Sequence, residues 1–213
     1  MENIINPTNS PVFYSNIDKL SEPNKVKYIV ITCAGAGGGP GKNGCYGPNN
    51  LYVNLFNNLI QYNIGVVAIE YRFAGKSDEA IKDAIFVVEK VINEFNCPIV
   101  MIGWSMGSKV TIQTAKFINN KYNASNNRII GLITVAGQTK GTNEIEEIND
   151  IKMLILHGTR DLCLNVNNAI ILYERAYHLN PQLKLYQFAD HDIADPDCEK
   201  DITNFLLSID ALF

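Results

Sequence analysis

Histidine occurs only three times in this 213-residue chain, and tryptophan once. Charge is sparse as well, at 19% of residues with a net of −4. A weakly acidic chain carries no electrostatic footprint for nucleic acid or for an anionic membrane, so neither is expected as a partner. No apolar run approaches the ~20 residues needed to span a bilayer. The start, Met1-Glu2-Asn3-Ile4-Ile5-Asn6-Pro7, lacks a basic region followed by an apolar core and does not read as a signal peptide. The five cysteines (33, 45, 97, 163 and 198) fall at no CxxC or other metal-ligand spacing, and their number is odd. Free thiols in a reducing cytoplasm fit that pattern, with no metal and no cofactor expected. Asn123-Ala124-Ser125 matches a glycosylation sequon, but without secretion it reads as a polar loop.

The remaining composition is that of a globular domain, 46% hydrophobic and long enough for one substantial core. We read a single domain over 1–213, with residues 1–26 as a polar segment holding one edge strand near Val12-Phe13-Tyr14. Short runs predict strands at Tyr28–Cys33, Gly65–Ile69, Ile99–Ile102, Ile129–Val135, Lys152–Leu156 and Leu183–Phe188, the first two read as buried. Helical spacing appears between them: from Asn50 through Tyr52, Leu55, Phe56 and Leu59, and from an N-cap at Ser77 with Ile81, Ala84, Ile85, Val88, Ile92 and Phe95 on one side. Further helices are predicted over Met106 to about Asn119, over 165–179 (Ile170, Ile171, Tyr173, Ala176, Tyr177), and at the C-terminus (Ile202, Phe205, Leu206, Ile209). Alternating strands and helices imply an α/β architecture, a doubly wound and mostly parallel sheet with helices on both faces.

Within that frame one stretch concentrates the chemistry. Gly103-Trp104-Ser105-Met106-Gly107 is a G-x-S-x-G sequence with a strand before it and a helix after it. A strand turning directly into a helix strains its pivot residue, so the flanking residues must be tiny, and the pivot hydroxyl stands clear of the sheet edge. The helix N-terminus beneath it offers free N–H groups and partial positive charge to an oxyanion. A serine nucleophile needs a base, and the base needs an orienting acid. His191 follows the last strand, on the kind of loop that carries such groups in doubly wound sheets. His178 lies inside a predicted helix, and His157 ends a strand ahead of the acid and is expected to pack near the Gly158 turn. Asp161, just past the fifth strand, is the leading acid, because a residue adjacent to His191 points away from it. Asp190, Asp192 and Asp195 are its competitors. The chain order Ser…Asp…His is the one that accompanies a nucleophile elbow.

These segments together resemble the α/β-hydrolase superfamily, and within it the compact, uncapped esterase-like and dienelactone-hydrolase-like members. The resemblance runs from Tyr28 to the C-terminus. It rests on the Gly-rich loop after an early strand, on Glu70-Tyr71-Arg72-Phe73-Ala74-Gly75-Lys76-Ser77, on Gly103–Gly107, and on His157-Gly158-Thr159-Arg160-Asp161 with Asp190-His191. It implies Ser105 as nucleophile, His191 as base and Asp161 as orienting acid. Met106 N–H would be one oxyanion donor. Cys33-Ala34-Gly35-Ala36-Gly37-Gly38-Gly39 aligns with the H-G-x-G-G-type loop, pointing to Ala36 N–H as the second, with Gly37 next; Ala34 stands where many relatives carry histidine.

Other readings of the same residues are weaker. Gly39-Pro40-Gly41-Lys42-Asn43-Gly44 satisfies G-x-G-x-x-G, but it begins several residues after its strand and runs into Gly47-Pro48, not into a helix, so a dinucleotide site is disfavoured. Cys33 and Cys45 sit on no elbow and read as packing. A non-catalytic ligand-binding protein on the same fold is the alternative to an enzyme. The Gly137–Asp150 connection is too short for a helical cap, so the site is expected to be open and to take a small ester or thioester. Tyr46, Phe73 and Trp104 are candidates for lining the pocket, and Arg72 and Lys42 read as solvated loop charge.

Overall fold

The apolar runs become strands whose alternate residues feed two separate cores. The computed structural model describes residues 2–3, 10–20, 26–41, 43–122 and 128–210. Lys42 and the Asn123–Ser125 sequon lie outside the described residues, as do parts of the N-terminal segment. The strands are β1 (Glu2–Asn3), β2 (Val12–Ser15), β3 (Ile29–Cys33), β4 (Gly65–Glu70), β5 (Ile99–Trp104), β6 (Ile129–Val135), β7 (Lys152–Gly158) and β8 (Gln182–Tyr186). They form one sheet in the order β1-β2-β4-β3-β5-β6-β7-β8. The pairs from β4 to β8 are parallel, while β1–β2 and β2–β4 are antiparallel. The helices are α1 (Leu51–Asn58), α2 (Ser77–Phe95), α3 (Gly107–Tyr122), α4 (Asn167–Arg175) and α5 (Pro196–Asp210).

Because side chains alternate across a strand, one face of β3 and β5 presents Ile29, Ile31, Ile99 and Met101 to α2, α3 and α4. The other face presents Val30, Val100 and Ile102 to α1 and α5. Every residue of β3 is buried, as a strand covered on both faces requires. From β3 the chain crosses to β4 on one side and then returns to β5 on the other. This reversal opens a crevice beyond the carboxyl ends of β3 and β5, where Cys33 is paired with Gly103.

Several local expectations need correction. Ser77 is the first residue of α2, not its cap; Lys76 holds the cap position, and the Ser77 hydroxyl accepts a hydrogen bond from Lys109 Nζ at 2.9 Å. The buried face of α2 is Ala80, Asp83, Ala84, Val87, Val88, Val91 and Ile92, with Ile81, Ile85 and Phe95 only partly buried. The helix expected over 165–179 is interrupted at Ala176 and continues as a 3-10 turn, Tyr177–Leu179. Its core face is Ala169, Leu172 and Ala176, while Ile170, Ile171 and Tyr177 are exposed. The last strand ends at Tyr186, two residues short of Phe188, which is exposed and has φ 67°. No helix among the described residues is long and apolar enough to cross a membrane.

Candidate active site

Ser105 sits at the tip of the turn between β5 and α3 with φ 56°, a conformation that costs a non-glycine residue on the order of 1–3 kcal/mol. The surrounding packing holds it there. Its N–H donates to Val135 O at 2.9 Å, and its carbonyl accepts from Ser108 N at 3.1 Å. The flanking glycines are required by contact. A Cβ on Gly103 would lie 2.3 Å from Gly107 O, and one on Gly107 would lie 2.2 Å from Cys33 O. The turn is therefore clamped onto the end of β3, and the loop that follows β3 reaches the serine: a Cβ on Gly35 would be 3.4 Å from Ser105 Cβ. Gly35 O accepts from Gly38 N at 3.1 Å, closing a tight turn with Ala36 and Gly37 exposed at its tip. Met106 is buried just ahead of α3, whose first-turn amides have no carbonyl partner within the helix.

The acid and the imidazole are brought together by the ends of β7 and β8. Gly158 allows this approach, since a Cβ there would lie 2.4 Å from both Ala189 O and Asp190 O. Across the contact, Thr159 N donates to Tyr186 O and Arg160 N to Ala189 O, at 3.0 and 2.9 Å. Asp161 then meets His191, with Asp161 Oδ2 2.7 Å from His191 Nδ1. The other carboxylate oxygen, Oδ1, accepts from the backbone N–H groups of Cys163 and Leu164, each at 2.8 Å. The Asp161 carboxylate is wholly buried and the imidazole partly exposed. Two of the three rival acids are engaged elsewhere: Asp190 Oδ1 accepts from Asp192 N, and Asp195 Oδ1 accepts from Asp197 N in the first turn of α5.

Trp104 joins the two halves. Its indole N–H donates to the His191 carbonyl at 3.2 Å, and its ring lies 5.5 Å from the imidazole, centroid to centroid. Its other flank meets Gly35, 3.1 Å from a Cβ there. Among the described residues neither Ser105 Oγ nor His191 Nε2 forms a hydrogen bond, and both residues are partly buried.

The remaining candidates are scattered. Phe73 is half exposed, with the Arg72 guanidinium 5.7 Å over its ring. Tyr46 is exposed on the side of Tyr14 and Glu70, and a Cβ on Gly37 would meet nothing within 4 Å. Arg72 is not a solvated loop charge: its Nε donates to the fully buried Asp83 carboxylate at 2.5 Å, and its backbone N–H to the same carboxylate at 2.8 Å.

Three nearby groups were given no site role by the sequence. His157 is buried against Asp161: its Nε2 donates to Leu164 O at 2.8 Å and lies 3.2 Å from Asp161 Oδ2, while Nδ1 has no partner among the described residues. Cys163 is exposed two residues past the acid. Arg160 lies 4.4 Å over the exposed Phe188 ring.

No protein-family model matches the chain, and no match was found among curated proteins. Solved structures do match over nearly their whole length. An α/β serine hydrolase without lid from Xanthomonas campestris is 16% identical with a TM-score of 0.67, covering 97% of each chain. Est1E from Butyrivibrio proteoclasticus is 13% identical with a TM-score of 0.73, covering 97% of this chain and 98% of its own. A dienelactone hydrolase from Anabaena variabilis is 12% identical with a TM-score of 0.68, covering 96% of this chain and 94% of its own. The chain thus has the α/β-hydrolase fold, in a form without a large cap.

Proposed function

We propose that this protein is a serine hydrolase that cleaves a small ester or thioester through an acyl-enzyme on Ser105. The observation that carries the reading is the conjunction at one sheet edge: a strained, partly buried serine on a strand–helix turn, and a buried carboxylate hydrogen-bonded to a partly exposed imidazole. A structural role asks for neither the strain nor the burial of a carboxylate against a histidine.

In this mechanism His191 Nε2 takes the Ser105 proton as the hydroxyl attacks the substrate carbonyl carbon. Asp161 holds the proton on Nδ1 and stabilises the imidazolium that forms. The oxyanion rests on the N–H groups of Met106 and Ala36; losing one such donor costs about 100- to 1000-fold in rate. His191 then protonates the leaving group, and a water repeats the sequence to free the acid. Short apo contacts are not required for these roles, since the Ser–His contact tightens when substrate binds. With no large cap over the crevice, a short or protruding acyl group suits the site better than a buried lipid tail.

The test is covalent labelling with a fluorophosphonate probe followed by intact mass. One adduct is expected on the wild type and none on Ser105→Ala or His191→Ala. A folded wild-type protein that takes up no probe sinks the reading in favour of a ligand-binding protein on this fold.

A further inference from the structure

Cys163 belongs to no part of that mechanism, yet its thiol is held against it. A carboxylate oxygen of Asp161, a ring nitrogen of His191 and the Cys163 sulfur all lie within 4.8 Å of one another. The arrangement is locally built: the Cys163 and Leu164 N–H groups both donate to Asp161 Oδ1, which wraps the chain around the acid and returns the thiol to the imidazole side. Cys163 is exposed and follows Leu162, which is wholly exposed, so the group opens directly to solvent.

We propose that Asp161, Cys163 and His191 form a zinc site that shuts the hydrolase off. One thiolate, one imidazole and one carboxylate are the donors that Zn²⁺ takes together, in tetrahedral geometry with bonds of about 2.0–2.3 Å. Such bonds bring neighbouring ligand atoms to about 3.3–3.8 Å, which side-chain rotation reaches from the present spacing. The fourth position is left to water. Magnesium and calcium, which prefer all-oxygen sets, are not matched here.

Binding conserves charge and protons in a simple way. The Cys163 thiol loses its proton to solvent and gives its lone pair to the ion, and nothing is oxidised or reduced. Bound through Nδ1, the ion displaces the single ring proton of neutral His191 to Nε2, which then has no lone pair for the serine proton. Bound through Nε2, the ion occupies that lone pair itself. Both modes remove the base. The shut-off rests on the hydrolase reading above; the zinc site does not.

The experiment titrates zinc into chelator-treated wild type, Cys163→Ser and His191→Gln by calorimetry, and measures fluorophosphonate labelling rate with and without saturating zinc. Cobalt(II) serves as a coloured substitute that reports thiolate ligation by a charge-transfer band. The wild type is expected to bind one zinc, to show the cobalt–thiolate band, and to lose labelling rate at least tenfold until chelator restores it. Each substitution should weaken binding at least tenfold, and labelling of Cys163→Ser should lose its zinc sensitivity. Absence of binding at ten micromolar zinc, or undiminished binding by Cys163→Ser, overturns the site. Zinc binding without loss of labelling overturns the shut-off. A zinc-free wild type that never labels refutes the hydrolase reading alone, and calorimetry still decides the zinc site.

Discussion

At the scale of single residues, the site depends on hydrogen atoms where other residues carry carbon. A methyl group on Gly107 would enter the backbone of β3 itself, 2.2 Å from Cys33 O and 2.7 Å from Ala34 O, and neither atom can swing away as a side chain can. Gly107→Ala is therefore expected to cost about 3 kcal/mol, the upper end of common single-residue losses. In a domain of this size that lowers Tm by about 6–12 °C, readable by calorimetry, and the probe-labelling rate should fall with it. A variant that melts with the wild type would mean that the turn is not clamped on β3. Asp161 illustrates a different economy: one buried carboxylate serves two backbone amides, His191, and the flank of His157.

Between elements, the join of α2 to α3 is made by charge at an exposed rim. The Asp78 carboxyl is held below its ordinary 3.8, first by the hydrogen bond from Lys109 and then by the charge of that ammonium. Glu79 is lowered as well, chiefly by its hydrogen bond from Lys82. A carboxyl lowered in the folded state means that the unfolded chain binds more protons in acid. The stability it contributes is thus present above the ordinary value and is lost as pH falls through the lowered one. Urea midpoints compared at neutral pH and at pH ~3 should drop less for Asp78→Asn than for the wild type; equal drops would show that the pair contributes nothing.

The same helix shows why some of the molecule was legible in sequence and some was not. The strands and the serine, aspartate and histidine loops could be read because each is marked by a short apolar run that stops. Asp83 could not, because a one-dimensional pattern assigns a carboxylate to the wet face. Only the fold shows that Arg72, eleven residues earlier, arrives to meet it. The core face of α4 is hidden for a related reason: bulky Ile170 and Ile171 are exposed, while Ala169, Leu172 and Ala176 are buried. Pairing across a gap and tightness of packing are properties of neighbours, which periodicity does not contain.

Over the whole molecule, burial sorts the thiols. Burial pushes Cys33 and Cys198 up to about 12 and Cys97 to about 11, and Cys45 is raised too, so these four are poor nucleophiles at neutral pH. Iodoacetamide on the native, zinc-free protein should add one equivalent, at the exposed Cys163, and five after unfolding in denaturant. Rapid modification of a second cysteine in the native state would show that one of the buried thiols is transiently exposed.

The contact between Trp104 and His191 bridges 87 residues of chain. A ribosome makes that length in about 4–17 s at the usual elongation rates. During this interval the emerging polypeptide already holds its elbow serine but has no histidine to activate it, and the parallel pairing of β7 with β8 is still to come. On the proposed mechanism, newly made chains are therefore silent toward esters until the His191 loop has been made, and the appearance of probe-reactive serine marks the moment at which β8 docks.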